Sequence, residues 1–417
     1  MEPRTNVKPT ILAVSTSRSF SPARLAMALV NAGCVVKAVC PPRHPLSKTN
    51  AVSQIHTYHG LAPLASFARA IAATQPDLVV PFDDLATLHL HDLYHRELRR
   101  GKAGVAICSL IARSLGVPAS FPIVYARTAT MELAEREGIR VPKSEVVRNA
   151  DDLRKSINRM GFPVVLKANG TSGGDGVSIV HTLEEAEHAL RVLAAPPLLA
   201  RAAKRALIDQ DLTLVWPSLL RKRYVVNAQA FVAGREATSA VACWKGTVLA
   251  CLHFEVLKKQ DAGGPSTVLR LIENPEMSAA AEKMVRRLEL SGVHGFDFML
   301  EAETHNPYLI EINPRATQVG HLTLGPRRDI PAALYAAVTG EVTQTAPRVT
   351  ENDTIALFPQ EWIRNPASAY LRSGYHDVPW GEPELVRACI RRRGSQTSWY
   401  AQQRWIETLL RVRRPRP

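Results

Sequence analysis

GFDFMLEAETHNPYLIEINPR, residues 295–315, is the stretch on which the reading of the whole chain turns. It divides into two β-type runs around a turn-prone segment at 303–307. In the second run Glu311 and Asn313 are two apart, so their side chains share one face of a strand. In the first run Asp297 stands between Phe296 and Phe298 and faces away from their apolar side. A hairpin pivoting near Thr304 sets Asp297 across from Glu311, because the two are equidistant from the pivot. A slip of one residue would turn Asp297 to the other face. In the expected register three oxygen donors, Asp297, Glu311 and Asn313, converge, a set suited to a hard cation such as Mg2+ bridging nucleotide phosphates. A merely solvated polar face would account for Glu301 and Glu303. It accounts poorly for Glu311, set among Leu309, Ile310 and Ile312, since an unpaired carboxylate in apolar surroundings is costly.

Further upstream, PVVLKANGTSGGDGV (163–177) places Lys167 on an apolar strand just before a loop with Gly170, Gly173, Gly174 and Gly176. Glycines admit positive φ and close backbone approach, so successive N–H groups can point at one anion, and the lysine adds a point charge. By itself the segment reads equally as a hairpin. It lacks the G-x-x-x-x-G-K-[ST] spacing and no helix follows the loop directly, which excludes a Walker-type site. The first 120 residues alternate strand and helix: strands over 9–15, 34–40 and 77–82, helices over 22–31 and 64–74. That order predicts a parallel, doubly wound α/β domain. No G-x-G-x-x-G follows its first strand, which argues against a dinucleotide site there. A long helix is expected over 125–138. Strands follow over 143–147, 163–168, 177–181, 225–232, 237–243 and 247–257, with helices over 151–160, 184–193 and 278–288. Residues 195–223 and the Arg- and Trp-rich segment after about 346 carry no interpretable motif.

Composition narrows the class. The 417 residues are 46% hydrophobic and 22% charged, values of a globular chain with room for two to four domains. The six cysteines are scattered without a C-x-x-C pair, which argues against a disulfide framework or structural zinc and points to a reducing cytoplasm. The amino terminus has too short an apolar run for a signal peptide, and no stretch reaches the ~20 apolar residues of a membrane span. The net charge of +14 gathers at 201–223 and 383–417. A solvated surface is the simplest account of it, and no basic-aromatic motif of a nucleic-acid module is present, so nucleic acid is not the expected partner.

Lys167, the glycine loop, the hinge-like VNAQAFVAGRE (226–236), Asp297 and the Glu311-Ile312-Asn313 motif occur in the order of the ATP-grasp superfamily, which the sequence resembles over about residues 120–340. Glu-Ile-Asn-Pro-Arg is similar to the carbamoyl-phosphate synthase and carboxylate–amine ligase branches. The resemblance implies an α/β fold, α+β in the ATP-binding part. A pre-ATP-grasp domain (1–120) would precede an ATP-grasp domain (121–345), with a small lobe to about 235 and a large lobe from 236, and then a basic C-terminal segment (346–417). It further implies ATP as co-substrate and magnesium, or manganese in its place. Arg127 and Lys167 would contact phosphates, with the loop residues Gly170, Ser172, Gly173, Gly174 and Gly176. Phe231 and Val232 would meet the adenine edge through their backbone and Glu236 would hold ribose. Gln229 stands where the family usually has Glu. Asp297, Glu311 and Asn313 would hold the metal, and Arg315 would steady the transferring phosphoryl group.

An ATP-dependent ligase makes a carboxylate electrophilic as an acyl-phosphate, which an amine or ammonia then attacks. That chemistry needs charge neutralisation and positioning rather than a protein nucleophile, in keeping with the absence of an evident Ser-His-Asp or Cys-His set. The expected partners are a small carboxylate and an amine. The assembly is left open, a homodimer being one option. An ATP-grasp phosphotransferase and an inactive nucleotide-binding regulator are the competing readings, and the complete acidic set argues against the latter. His89, His91 and His95 read as an ordinary helix surface, His321 as structural, and Asp83-Asp84 as the end of a parallel strand, where α/β sheets place ligands.

Overall fold

The structure, a computed structural model, describes residues 8–168, 176–196, 218–221, 224–261, 263–341 and 346–391. The N-terminal part builds a four-stranded parallel sheet from β1 (Thr10–Val14), β2 (Val35–Cys40), β3 (Val52–Thr57) and β4 (Leu78–Pro81), in the order β3-β2-β1-β4. Helices α1 (Ser21–Asn31), α2 (Pro63–Thr74), α3 (Asp84–Leu98) and α4 (Val105–Leu115) accompany it. Along β1, Ile11 and Ala13 enter one core while Leu12 and Val14 enter another. Both faces are covered, which is why this strand reads as a continuous apolar run. β3 escaped the sequence reading because it is an edge strand with mostly exposed side chains.

The helix expected over 125–138 is two helices, α5 (Phe121–Tyr125) and α6 (Arg127–Arg136). Ala126 breaks them with an extended backbone, φ −99° and ψ 101°. The break makes Arg127 the first residue of α6.

A second sheet, ordered β5-β8-β6-β7, contains β5 (Ser144–Val147), β6 (Val164–Ala168), β7 (Val177–Val180) and β8 (Val226–Ala230), all antiparallel. Helices α7 (Ala150–Met160) and α8 (Leu183–Ala194) close a separate small core with Val164, Leu166, Val226 and Ala228. Both helices start at a side-chain cap: Asn149 accepts from the Asp152 N–H and Thr182 from the Glu185 N–H, the usual device for unpaired first-turn donors.

The third sheet has seven strands, β13-β12-β9-β10-β11-β14-β15. They are β9 (Gly234–Trp244), β10 (Thr247–Lys259), β11 (Ser266–Ile272), β12 (Gly292–Glu301), β13 (Pro307–Asn313), β14 (Thr354–Leu357) and β15 (Tyr375–Asp377). One face, with Ala240, Leu252, Phe254 and Val293, packs into the same core as Ile11, Leu25 and Leu29 of the N-terminal sheet and α1. The other face packs on α6 and α9 (Pro275–Arg287) through Phe296, Phe298, Met277 and Met284. Two short strands after residue 346, unseen in the sequence, extend this sheet, β14 inside it and β15 at its edge. Residues 346–391 are therefore part of its packing, and Trp362 is a core side chain. The six cysteines are free. Among the described residues no helix is long and apolar enough to cross a membrane.

Glu361 shows how firmly the C-terminal part is attached. It is fully buried and accepts from Thr267 Oγ1 on β11 at 2.7 Å and from Arg364 Nε at 2.7 Å and Nη2 at 2.5 Å. Burial raises its pKa, but the bonds from Arg364, Ser368 and Thr267 outweigh that and hold it below the usual carboxylate value. Glu361→Ala should lower unfolding free energy by about 1–3 kcal/mol, the cost of leaving the buried Thr267 hydroxyl without its acceptor. Urea midpoints of variant and wild type check this, and an unchanged midpoint would show that the Glu361 bonds contribute nothing to holding 346–391 in place.

Candidate functional site

Strand register gathers a set of charged residues on one face at one end of the large sheet. Asp297 pairs with Glu311, and Gly295 with Asn313, across β12 and β13. On the other side of β12, Asp297 pairs with Thr238 and Met299 with Glu236. Directly opposed residues share a face, so Glu236, Thr238, Asp297, Glu311 and Asn313 lie together. The expected pairing of Asp297 with Glu311 is reached by a different route from a pivot at Thr304: next to the turn Phe298 pairs with Leu309 and Met299 with Tyr308, and a bulge between Asp297 and Phe298 shifts the register so that Asp297 meets Glu311.

Their hydrogen bonds fall into three neighbouring groups, around Asp297, Glu311 and Glu236. Asp297 Oδ1 accepts from Thr238 Oγ1 at 2.8 Å, and its Oδ2 from Asn313 Nδ2 at 2.7 Å. Asn313 Oδ1 accepts from Arg315 Nη2 at 3.2 Å. Glu311 Oε1 accepts from Arg127 Nε at 3.1 Å and also from Arg127 Nη2. Arg127 Nη1 donates to the carbonyl of Ala168 at 3.0 Å. The helix break at Ala126 thus lets one guanidinium span the end of β6 and the hairpin. Glu236 is held by Lys259 Nζ at 2.8 Å.

Lys167 is buried on β6, opposite Asn227. Its pKa comes down from 10.5 to about 8: burial is the main cause and the Arg127 charge adds to it, while Glu311, Asp297 and Glu236 pull the other way. Those four residues are therefore its electrostatic surroundings. Asp297 shifts the opposite way: burial and the adjacent Glu311 charge raise it, against the bonds from Thr238 and Asn313. A half-buried pair of carboxylates beside an amide oxygen is a donor set fitted to a divalent cation. Glu311, Asp297 and Asn313 Oδ1 would hold it.

The remaining expected residues lie around this centre. Gly176 is buried at the start of β7, its carbonyl accepting from the Ala168 N–H at 2.8 Å. Gly170, Ser172, Gly173 and Gly174 lie outside the described residues, as do most of 195–223 and the chain beyond 391. Gln229 is buried and donates through Nε2 to Ser144 Oγ at 3.0 Å, tying it into the small sheet. Phe231, 38% exposed, and the half-buried Val232 fall in the link from β8 to β9, where the chain passes from one sheet to the other. Arg315 donates through Nε to Asp84 Oδ1 at 3.0 Å.

Other histidines have local roles. His91 stacks on Phe121 with centroids 4.0 Å apart, and burial takes its pKa down to about 3. His89 meets the Tyr58 hydroxyl. Among the described residues no group of three or more His, Cys, Asp and Glu is placed to hold a metal. His321 bonds through Nε2 to Asp377 Oδ2 at 2.7 Å, and Asp377 also pairs with Arg24. A Ser239–His253–Ser278 chain lies on the opposite face of the sheet, where burial takes His253 down to about 4.

Thr238 and Lys259 were missed in the sequence. Thr238 had a signal, being two residues beyond Glu236 on the same strand. Lys259 had none, because a bulge between Val256 and Lys258 sets which way the strand end faces.

Comparison with known proteins follows this geometry. Residues 126–323 match the family model described as carbamoyl-phosphate synthase L chain, ATP binding domain. The chain is 27% identical over 193 residues to the N-terminal section of the carbamoyl phosphate synthase large chain of Aquifex aeolicus, covering 45% of this chain and 31% of that protein. It is 24% identical over 275 residues to the formate-dependent phosphoribosylglycinamide formyltransferase of Bacteroides fragilis, covering 63% of this chain and 60% of that one. It thus spans less than two thirds of either relative. The solved carboxyaminoimidazole ribonucleotide synthase of Aspergillus clavatus, complexed with ATP, has the same fold, with a TM-score of 0.56 at 16% identity over 81% of this chain and 78% of that one.

The Lys167 shift carries a test that is independent of activity. The folded pKa, about 8, lies below the ordinary 10.5, so the unfolded chain binds the proton more tightly. The penalty is complete below pH 8 and disappears as pH rises through the unfolded value. Lys167→Met should therefore be more stable than wild type at pH 7, by about 3 kcal/mol, and the gap should narrow above pH 8 and close only above about pH 10.5. Urea unfolding at both pH values checks this. A less stable variant at pH 7 would mean that the neighbouring carboxylates gain more from the ammonium than its burial costs.

Proposed function

The chain belongs to the ATP-grasp superfamily through residues 126–323, and on that premise we propose that it is an ATP- and magnesium-dependent ligase that activates a small carboxylate for attack by an amine or ammonia. The observation that carries this reading is the meeting of three cationic side chains, Arg127, Lys167 and Arg315, with the half-buried Asp297–Glu311 pair at one end of the sheet. Phosphoryl transfer is served by such positioning and electrostatic stabilisation, with no covalent group from the protein.

In this reading Lys167 and Arg127 hold the nucleotide phosphates, with the loop containing Gly170, Ser172, Gly173, Gly174 and Gly176. The β8–β9 link at Phe231 and Val232 meets the adenine edge beside Gln229, and Glu236 takes the ribose. Asp297, Glu311 and Asn313 hold the metal, which when bound neutralises charge on the phosphates. Arg315 steadies the phosphoryl group as it passes to the carboxylate oxygen. The amine then displaces phosphate from the acyl-phosphate. Closure around the site excludes water, which would otherwise hydrolyse that intermediate.

Two variants test the nucleotide and metal roles. Lys167→Ala should weaken ATP binding by about 10- to 150-fold, the range of a lost charge-assisted phosphate contact. Calorimetry measures this, and unchanged affinity would remove Lys167 from the site. Glu311→Gln should leave ATP binding without magnesium nearly unchanged while slowing ADP release by at least about 10²-fold in a carboxylate and amine pool that supports turnover. Equal rates across a magnesium titration would reduce the hairpin to a structural element. Hydroxylamine separates ligase from phosphotransferase, because it traps an acyl-phosphate as hydroxamate and leaves a phosphate ester intact.

A further inference from the structure

The segment that follows β13 is gripped by a corner of the N-terminal sheet. The Ala316 N–H donates to the Pro81 carbonyl at the end of β4, at 2.9 Å. Thr87 Oγ1 donates to the Pro314 carbonyl at 2.8 Å. Between these two contacts Arg315 Nε donates to Asp84 Oδ1. The corner is itself well tied. Asp83, the cap of α3, accepts from the Ser15 hydroxyl, the Thr16 N–H and hydroxyl, and the Ala86 N–H, all within 2.9 Å. Asp84, the next residue, opens α3 from a backbone with little freedom to shift.

The Arg315 guanidinium uses one side in these contacts, Nε to Asp84 and Nη2 to Asn313 Oδ1. Among the described residues nothing bonds to Nη1. The edge formed by Nη1 and the second Nη2 hydrogen is left with the fork spacing that matches two phosphoryl oxygens. Asn313 fixes one corner of the plane only, so rotation about that bond would swing the free edge aside. The Asp84 bond removes that rotation.

We propose that Asp84, supplied by the N-terminal sheet, is the positioning residue that orients Arg315 toward the transferring phosphoryl group. This rests on the ATP-grasp ligase reading of the site. It gives the N-terminal sheet a part in the chemical step. Positioning of this kind acts on the transition state and leaves ground-state nucleotide binding alone.

The test needs no knowledge of the carboxylate. MgADP is titrated into the full chain by calorimetry, alone and with aluminium fluoride, which mimics the phosphoryl group in flight. Wild type should bind MgADP and gain at least tenfold in affinity from fluoroaluminate. Asp84→Ala should bind MgADP within twofold of wild type and lose most of that gain. Asp84→Asn, whose amide oxygen still accepts from Nε, should recover part of it, and it decides the matter if the alanine variant does not fold. Equal weakening with and without fluoroaluminate would make the bond purely structural and overturn the proposal. So would an undiminished gain in both variants, or no gain in a wild type that binds MgADP. A wild type that fails to bind MgADP at all would instead overturn the ligase reading on which the proposal stands.

Discussion

Two carboxylates, Asp297 and Glu311, face each other across one pair of antiparallel strands. Like charges about 4 Å apart repel by about 4 kcal/mol at an effective dielectric constant near 20, so the fold must bring compensation. It comes from three directions. Arg127 arrives from a helix start, Lys167 from the small sheet, and Arg315 from just beyond the hairpin. Asp297 keeps a raised pKa even so. Carboxylates and cations side by side suit a site that receives a divalent cation together with a polyanion, one for each set of ligands.

The same demand organises the molecule at larger scale. The chain leaving β13 runs across the carboxyl end of the N-terminal parallel sheet, the position at which such sheets receive ligands. It is fastened there by Pro81, Asp84 and Thr87, and further on by His321 against Asp377. Asp377 also pairs with Arg24 of α1. Burial raises the pKa of this carboxylate, but His321 and Arg24 outweigh the effect and keep it low. One buried acid thereby joins the N-terminal helix, the segment after the hairpin and the last described strand.

Much of this was legible in the sequence, for local reasons. The hairpin faces could be read because Glu311 and Asn313 are two apart on one strand, but the register of Asp297 against Glu311 depends on a bulge between Asp297 and Phe298 that spacing does not show. Three strands of the N-terminal sheet could be read because strands covered on both faces are unbroken apolar runs. The break at Ala126 could not be read. The segment YARTATMELAEREG has helical propensity throughout, and the interruption follows from where Arg127 and Thr128 bond, to Glu311 and Asn227. β3 and β15 were missed because they are edge strands with a weak apolar pattern, and β14, four residues long, because it is too short to show a period; β11 was missed as well. Asp84 was visible as a strand-end acid, but its partner lies 231 residues away in the chain, and no local rule joins them.

Gly295 has a consequence for how the sequence can drift. A Cβ there would stand 2.4 Å from the Thr317 methyl and 3.3 Å from Asn313 Cβ. The missing side chain is what lets the segment after Arg315 fold back beside Asn313. A larger residue at 295 is compatible with this path only if position 317 shrinks as well, whereas a smaller residue at 317 is compatible with Gly295 as it stands. Substitutions at the two positions are non-additive, as expected for side chains in contact, and the order matters: a lineage can enlarge 295 only after 317 has been reduced.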